Sequence, residues 1–576
     1  MFRRFLKNGK KFLTSEQSDI LSASAVMMAI LTITKIVGVL TKTVAVSQLG
    51  TEKYGLFIAA NTLPETLSMI FIFGTITAVI IPILVEELQA KKNGSFSKIF
   101  SSIVNIGLSI FLLISILVAL FSGYVTPIII KKIANPIEPF SQEQIDQIVS
   151  MMRWLMLPQI ILGISTFLSS ALNAFKRFIV PQLAPLFYNL GILVGAIILI
   201  PLLDGSPWGL TWGILIGSVL HLLIQLPLSS HLKIKYRLFI DLKSKRLREI
   251  IKIGFPRIVT LAADQIAIFI DRIIAIGLGA APLGAYYLAV SLVTIPYSLF
   301  SATFSVASLP HLSEKYAKGD IKSFKRIFSK VFNQILFLSI PVTMILLVLR
   351  LPIVRLLYGI LGREFTWGNT LMVAWIVFFF SLGLIPEILI AFINRAFCAT
   401  CDTLRPLFVG IFIVLGGIFT GILFTNYFSH IDYFSLREIT WDPNYFLSKA
   451  EGAPAIGGLA FSSSLVYSTA FVFLIALFTK KIGGLSFKKF WLPSIKKMFF
   501  GIVMAFFMYM LFKIWDGVLD TARTINVLVL TISTIVPGLC VYLWFSFVFR
   551  DPEIEIITKL IDSITRFIQQ KKMPQV

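Results

Sequence analysis

The feature that most constrains this chain is a long succession of apolar runs, each about 20 residues or more, broken by short polar loops. A helix rises about 1.5 Å per residue, so a run of that length crosses the hydrocarbon core of a bilayer. Lipid offers no partners to backbone N–H and C=O groups, which leaves helices and closed barrels as the only spanning structures. The runs are continuous rather than alternating, which predicts helices. Fourteen such runs are expected, so the fold class is an all-α polytopic membrane protein with fourteen transmembrane helices. Of 576 residues, 57% are hydrophobic, 52 are Phe and only 14% are charged, which excludes a soluble enzyme.

The net charge of +23 does not point to nucleic acid. Its basic residues gather in alternate loops, such as HLKIKYRLFIDLKSKRLREIIK (231–252), HLSEKYAKGDIKSFKR (311–326) and TKKIGGLSFKKFWLPSIKK (479–497). The intervening DGSPW (204–208) and GAAP (279–282) carry none. That is the positive-inside pattern. An even number of spans then puts both termini in the cytoplasm, with membrane lipids as standing partners. The basic start, MFRRFLKNGKKF, lacks the short apolar core of a cleaved signal, so none is expected.

Against this apolar background, a few charges inside the spans stand out. Lys35 and Lys42 lie in the first span, seven residues and about two helical turns apart, so they share a face. A lysine at the bilayer centre costs roughly 2.5–3.5 kcal/mol on insertion scales, which favours a wet cavity or a counter-charge. Asp264 and Asp271 occupy the seventh span at one fixed offset of 229 residues from the two lysines. Other matches recur near that offset. Ile81–Glu86 corresponds to Leu309–Glu314, Pro158–Gln159 to Pro386–Glu387, and Asn173–Phe187 to Asn394–Phe408. The chain therefore reads as two pseudo-symmetric six-helix lobes in the same orientation, with two further C-terminal helices. The expected division is a cytoplasmic segment 1–19, a first lobe 20–232, a basic linker 233–249 and a second lobe 250–481 with an outer loop 428–454. An added helix pair, 482–549, and an amphipathic cytoplasmic tail, 550–576, complete it.

Lys35 and Lys42 are the candidates for holding an anionic head group through charge-assisted hydrogen bonds. Glu65 follows Pro64 in the second span; it pairs with one of the lysines or faces the cavity. Asn61 is an intramembrane amide, a class that most often joins helices. Asp264 and Asp271 supply the carboxylates a hard cation such as Na⁺ prefers. Asp402 before Thr403 suits either a coupling ion or the N-cap of the eleventh span. Glu387, after Pro386, is a candidate proton carrier. Arg272 follows Asp271 but points about 100° away around the helix. Cys398 and Cys401 form a CxxC that reads as reduced thiols rather than a metal site. No P-loop and no HExxH are present, and no catalytic grouping is expected.

Several segments carry a family resemblance: LNAFKRFIVPQLAPLFYNLGIL (172–193), YYLAVSLVTIPYSLFSATFSVASLPHLS (286–313), RLPIVRLLYGILGREFTWGNT (350–370) and INRAFCATCDTLRPL (393–407). The chain resembles the MurJ/MviN lipid II flippases, within the superfamily of multidrug, oligosaccharidyl-lipid and polysaccharide exporters. The resemblance implies a central hydrophilic cavity and alternating access. It also implies an undecaprenyl-diphosphate-linked precursor such as lipid II as substrate, no enzymatic chemistry, and a bacterial inner-membrane location as a monomer. The two added spans would form a groove for the lipid tail, and Na⁺, the proton motive force or the membrane potential would drive or reset the cycle. Cavity arginines of the family fall here on Lys35, Thr41, Ser68 and Ser291, and an acidic position on Phe73, so a less cationic cavity is expected. Asn394 joins Asp402 and Glu387 as a coupling-ion candidate. The alternatives are a flippase for another lipid-linked oligosaccharide and a cation-coupled exporter of amphipathic small molecules.

Overall fold

The computed structural model describes residues 20–73, 95–134, 139–232, 236–239, 265–266, 268–402, 404–430 and 454–555. Asp264, most of the basic linker, the outer loop beyond 430 and the tail beyond 555 lie outside them. Among the described residues there is no strand. Twelve helices among the described residues are long and apolar enough to cross a membrane. The first of these, Ile30–Ile72, runs through two of the expected spans, and the expected seventh span, 250–278, lies mostly outside the described residues. The difference from fourteen resides in those two places.

The chain forms two compact units: Met1–Tyr287 with Leu357–Asn369, and Leu288–Leu356 with Thr370–Val576. The first unit begins with α1 (Ile20–Ser68), followed by α2 (Ser95–Ile128), α3 (Gln142–Ala174), α4 (Ile179–Val194), α5 (Trp208–Leu223) and α6 (Leu226–His231). It also takes in the start of α7 (Ala280–Ala317). Helix α1 breaks once, at Gly50, whose φ of 65° is a left-handed conformation that side chains resist. The segment 357–369 docks at this break. Glu364 N donates to Ser47 O at 2.7 Å, Thr51 Oγ1 donates to Asn369 Oδ1 at 2.9 Å, and Thr43 Oγ1 donates to Leu357 O.

Small residues set the closest helix crossings. A Cβ on Gly55 would overlap the carbonyl of Ala280, and one on Gly284 the carbonyl of Thr51, so α1 and α7 meet backbone to backbone. Helices α4 and α5 cross the same way at Gly191 and Gly217. Lipid gives no hydrophobic drive to helix association, so such close packing supplies much of the attraction. Helix α3 opens on a capping box formed by Ser141 and Gln144.

The second unit carries the rest of α7, with α8 (Ile321–Tyr358), α9 (Trp367–Ala399), α10 (Leu404–His430) and α11 (Pro454–Lys481). Helices α12 (Leu492–Val518) and α13 (Thr524–Val548) follow. Its core is aromatic. Phe328 stacks on Phe392 at 5.1 Å and contacts Phe478 at 4.6 Å, while Phe332 meets Phe490 at 4.6 Å. The last two helices are tied to α8 by a buried ion cluster. Lys497 on α12 is fully buried, with its Nζ 3.0 Å from Asp551, 2.8 Å from Glu553 and 3.2 Å from Asn333 Oδ1 on α8. Asp551, followed by Pro552, caps the short turn Pro552–Ile554.

Candidate functional site

The polar centre of the first unit is built on α1 and on the helical residues 268–276 that precede α7. Lys42 is half-buried, and its Nζ lies 5.3 Å from the centre of the Tyr287 ring. The guanidinium of Arg272 lies 5.6 Å from the same ring. Two cations therefore share one aromatic face donor, the arrangement cation–π attraction favours. Tyr54 sets its ring edge-on to Tyr287 at 6.3 Å.

Glu65 completes the cluster. Arg272 Nη1 donates to Glu65 Oε2 at 3.0 Å, and Asn61 Nδ2 donates to the same oxygen at 3.3 Å. Asn61 and Glu65 are four residues apart on α1, so they share a helix face. Of the two readings open for Glu65, a pair with Lys35 or Lys42 or a place facing the cavity, the first is not found: its ion-pair partner among the described residues is Arg272. The 100° turn between Asp271 and Arg272 is what sends the arginine toward α1. The expected shortage of arginine is offset by the same residue. With Lys42 and Arg272 against Glu65, the cluster keeps one net positive charge.

Such a cluster can bind an anion. A guanidinium presents five N–H donors in a fixed fork, and Glu65 occupies only part of it. Asn61 Oδ1 and Ser68 Oγ are buried and hydrogen-bond to no other described residue. Buried polar atoms seek partners, so both are open to water or ligand. Lys35, two turns before Lys42, is exposed and close enough for its charge to act on Lys42.

The other expected site residues fall elsewhere. The Thr41 hydroxyl donates to Val37 O at 2.8 Å and reaches Asn189 O at 3.5 Å, which packs α1 on α4. Ser291 belongs to the second unit and donates to Leu288 O of its own helix at 2.8 Å. Asp271 makes no hydrogen bond or ion pair with another described residue, and neither does Glu387 on α9. Asn394 Oδ1 is buried without a hydrogen bond. Asp402 accepts from Arg405 N at 3.3 Å as the cap of α10 and pairs with Lys481 at 2.9 Å and Arg405 at 3.3 Å. The Lys481 hydrogen bond, with the capped N–H and both cations, holds its carboxyl below the usual range. Among the described residues no three His, Cys, Asp or Glu side chains gather as a metal site would need.

Sequence reasoning missed Arg272 and Tyr287 as site residues. A signal was present for the first, since an arginine inside a span is seldom without a function or a partner. Nothing in the sequence marked Tyr287 over its neighbour Tyr286.

The family model described as lipid II flippase MurJ matches residues 46–434, well over half of the chain. Glu65, Arg272 and Tyr287 lie inside that match, and Lys35 and Lys42 just before it. A protein of Buchnera aphidicola (subsp. Acyrthosiphon pisum) named probable lipid II flippase MurJ is 26% identical over 394 residues, 68% of this chain and 75% of its own. A protein of the same name from Thermotoga maritima is 30% identical over 236 residues, 41% and 46% of the two chains. In fold, the chain matches a solved lipid II flippase MurJ in an inward closed conformation, with a TM-score of 0.71 and 21% identity over 92% of this chain and 99% of that one. An inward-facing multidrug resistance MATE transporter of the MOP superfamily matches with a TM-score of 0.61 and 14% identity, over 79% and 98% of the chains. The multi-pass helical chain described here belongs to the lipid II flippase MurJ family.

Proposed function

We propose that this protein is a flippase that carries lipid II, a polyprenyl-diphosphate-linked peptidoglycan precursor, from the inner to the outer leaflet by alternating access. The observation that carries this reading is the intramembrane pair of cations, Lys42 and Arg272, set around Tyr287 in a chain of this family. A diphosphate needs charge-assisted donors held where water is scarce. Lys42 and the free arm of Arg272 meet that need, with Asn61 and Ser68 offering further polar contacts and Lys35 positive charge along the approach.

On this reading the protein moves its substrate and performs no covalent chemistry. It works as a monomer in the bacterial inner membrane with both termini in the cytoplasm. The helices α12 and α13 line the lipid tail. Asp271, with Asp264, responds to the coupling cation or to the membrane potential, and Glu387 and Asn394 are the corresponding candidates in the second unit.

The test is complementation of a bacterium depleted of its own flippase, with lipid II at the outer leaflet as readout. Wild-type protein restores growth and outer-leaflet lipid II, and Arg272→Ala or Lys42→Ala restores neither at equal membrane abundance. If wild-type protein inserts but leaves lipid II inside, the substrate assignment is wrong.

A further inference from the structure

The second unit contains a cavity of about 670 Å³ that the transport reading leaves unused, a size suited to a small ligand. One wall is a single stripe of α8 bearing Lys322, Lys325, Arg326 and Lys330. Their spacings of three and four residues place them on one helix face. The opposite face of the same turns is buried through Phe324 and Phe328. The remaining walls come from the segment before α12, with Phe490, from Pro493 in the first turn of α12, and from the turn after α13 that holds Glu553.

This stripe is unfavourable by itself. Like charges at i and i+4 repel, as at Lys322 with Arg326 and Arg326 with Lys330. Lys322 also sits in the first turn of α8, at the positive end of its macrodipole. Among the described residues no carboxylate is in ion-pair contact with Lys322, Arg326 or Lys330, although Asp320, which accepts from Ser323 N at 3.0 Å as the cap of α8, is near enough for its charge to act on Arg326. Lys325 Nζ donates to Gly483 O at 2.8 Å. Glu553 lines the cavity, but its charge is met by Lys497 from behind at 2.8 Å. Glu555 also lines it, exposed at the rim. Lys322, Arg326 and Lys330 are exposed to solvent as they line the cavity. The positive-inside tendency explains cations near a membrane surface; it does not explain their alignment along one part-apolar cavity.

We propose that this cavity is a binding site for a phosphate-bearing anion, with Arg326 and Lys330 as its main donors. The counter-charge it brings relieves the repulsion along α8, and the apolar floor at Phe490 and Pro493 accommodates the carbon skeleton that carries the phosphate. The same chemistry is presented by the head group of an anionic phospholipid and by a soluble phosphate ester. Because Glu553 belongs both to this wall and to the Lys497 cluster, an occupied cavity bears directly on the tie between α8, α12 and α13.

The test is native mass spectrometry of the full-length protein in detergent, titrated with phosphatidylglycerol, phosphatidylcholine and glycerol 3-phosphate. The expected result is retention of phosphatidylglycerol or glycerol 3-phosphate, and of phosphatidylcholine at a much lower level. The double variant Arg326→Gln/Lys330→Gln weakens that retention roughly tenfold or more, the scale of losing charge-assisted contacts. The double variant Lys315→Gln/Lys318→Gln removes the same charge outside the cavity and leaves retention unchanged. Retention of phosphatidylglycerol alone assigns the site to a lipid head group; equal retention of glycerol 3-phosphate assigns it to a soluble ester. Retention of neither, or equal weakening in the two double variants, overturns the proposal. A diazirine derivative of the retained compound, phosphatidylglycerol or glycerol 3-phosphate, then tests the wild-type protein without substitution. Cross-links within 322–334 or 485–493 support the site, and cross-links confined to other segments overturn it.

Discussion

Arg272 and Glu65 form an ion pair at 3.0 Å across 207 residues of sequence, with Asn61 donating to the same carboxylate oxygen. The pair has two consequences. It fixes the helical residues before α7 against α1, and it leaves part of the guanidinium fork unspent beside Lys42. A site of this kind binds an anion without creating a bare buried cation when the anion leaves, because Glu65 remains as counter-ion.

Replacing Arg272 separates these roles. Arg272→Lys keeps the charge but loses the planar fork, and one ammonium cannot serve Glu65 and a diphosphate as two arms do. Lipid II binding is expected to fall roughly 10- to 100-fold, the equivalent of about 1.5–3 kcal/mol for a hydrogen bond to a charged group. Glu65→Gln should instead tighten binding, since it frees the whole guanidinium, while lowering thermal stability. Binding measured on purified protein, alongside a melting curve, checks both signs. Tighter binding in neither variant and equal losses in both would show that the pair is only a structural tie.

The Lys497 cluster makes a prediction about stability alone. Removing the lysine leaves Asp551 and Glu553 buried together without a cation. Lys497→Met is expected to destabilise the protein by about 3–5 kcal/mol, the usual cost of breaking a buried ion pair from one side. Adding Asp551→Asn and Glu553→Gln to the same variant should recover much of that loss, because no charge is then stranded. Thermal unfolding in one detergent, at one pH, reads both.

That cluster also fixes a pH dependence. Burial raises the Glu553 carboxyl to about 7, helped by its hydrogen bond with Asp551 and opposed by Lys497. An unfolded glutamate titrates near 4.3, so between that value and about 7 the folded state holds a proton that the unfolded state has lost. The contribution of this group to stability is therefore fully present below the unfolded pKa and is lost as pH rises to about 7. In Glu553→Gln that slope should flatten. Melting temperatures from pH 5 to pH 8 decide it, and an unchanged slope in the variant would assign the titration to another group.

The crossing of α1 and α7 gives a steric prediction. A side chain at Gly55 or Gly284 meets backbone, not a movable side chain, so the helices must part. Gly55→Val should reduce folded yield sharply and displace Lys42 from Tyr287, since both sit on the separated elements. Gly417→Ala on α10 meets nothing within 4 Å and serves as the control. It should be neutral or stabilising by roughly 0.5–1 kcal/mol, because alanine loses less backbone freedom in a helix than glycine does. Equal yields of the two variants in membranes would contradict the close crossing.

The sequence made some of this legible and not the rest, for physical reasons. Apolar run length and alternating basic loops are local properties, and they specify an all-helical membrane fold before any contact is known. Lys42, Glu65 and Asn61 were visible because a polar group in lipid is costly wherever its helix packs. Partner choice was not visible. Glu65 selects Arg272 over a lysine because α1 and α7 meet at Gly55 and Gly284, a contact between distant segments. Lys497 lay unnoticed in a basic loop pattern, since its burial depends on Asp551 and Glu553 more than fifty residues later. Asp402 read as a cap ahead of an ion ligand, and the structure gives it the cap and two ion pairs.

The last prediction concerns two adjacent residues with opposite roles. Asp271 and Arg272 are neighbours in sequence, yet a helix turns them about 100° apart. Arg272 pairs with Glu65 and lies against the Tyr287 ring with part of its fork unspent, whereas Asp271 makes no ion pair with any described residue. An unpaired carboxylate within a span is costly unless it meets a cation or a proton. On the proposed function, Asp271 meets the coupling cation and Arg272 meets the substrate. Asp271→Asn should then leave lipid II binding unchanged while transport in vesicles no longer responds to Na⁺ or to an imposed membrane potential. Arg272→Ala should instead lose lipid II binding, and with it the transport that a gradient could drive. The two variants are compared in one vesicle preparation, with the gradient and the substrate varied separately. If Asp271→Asn loses binding as Arg272→Ala does, the two residues serve one site and the division between substrate and coupling ion fails.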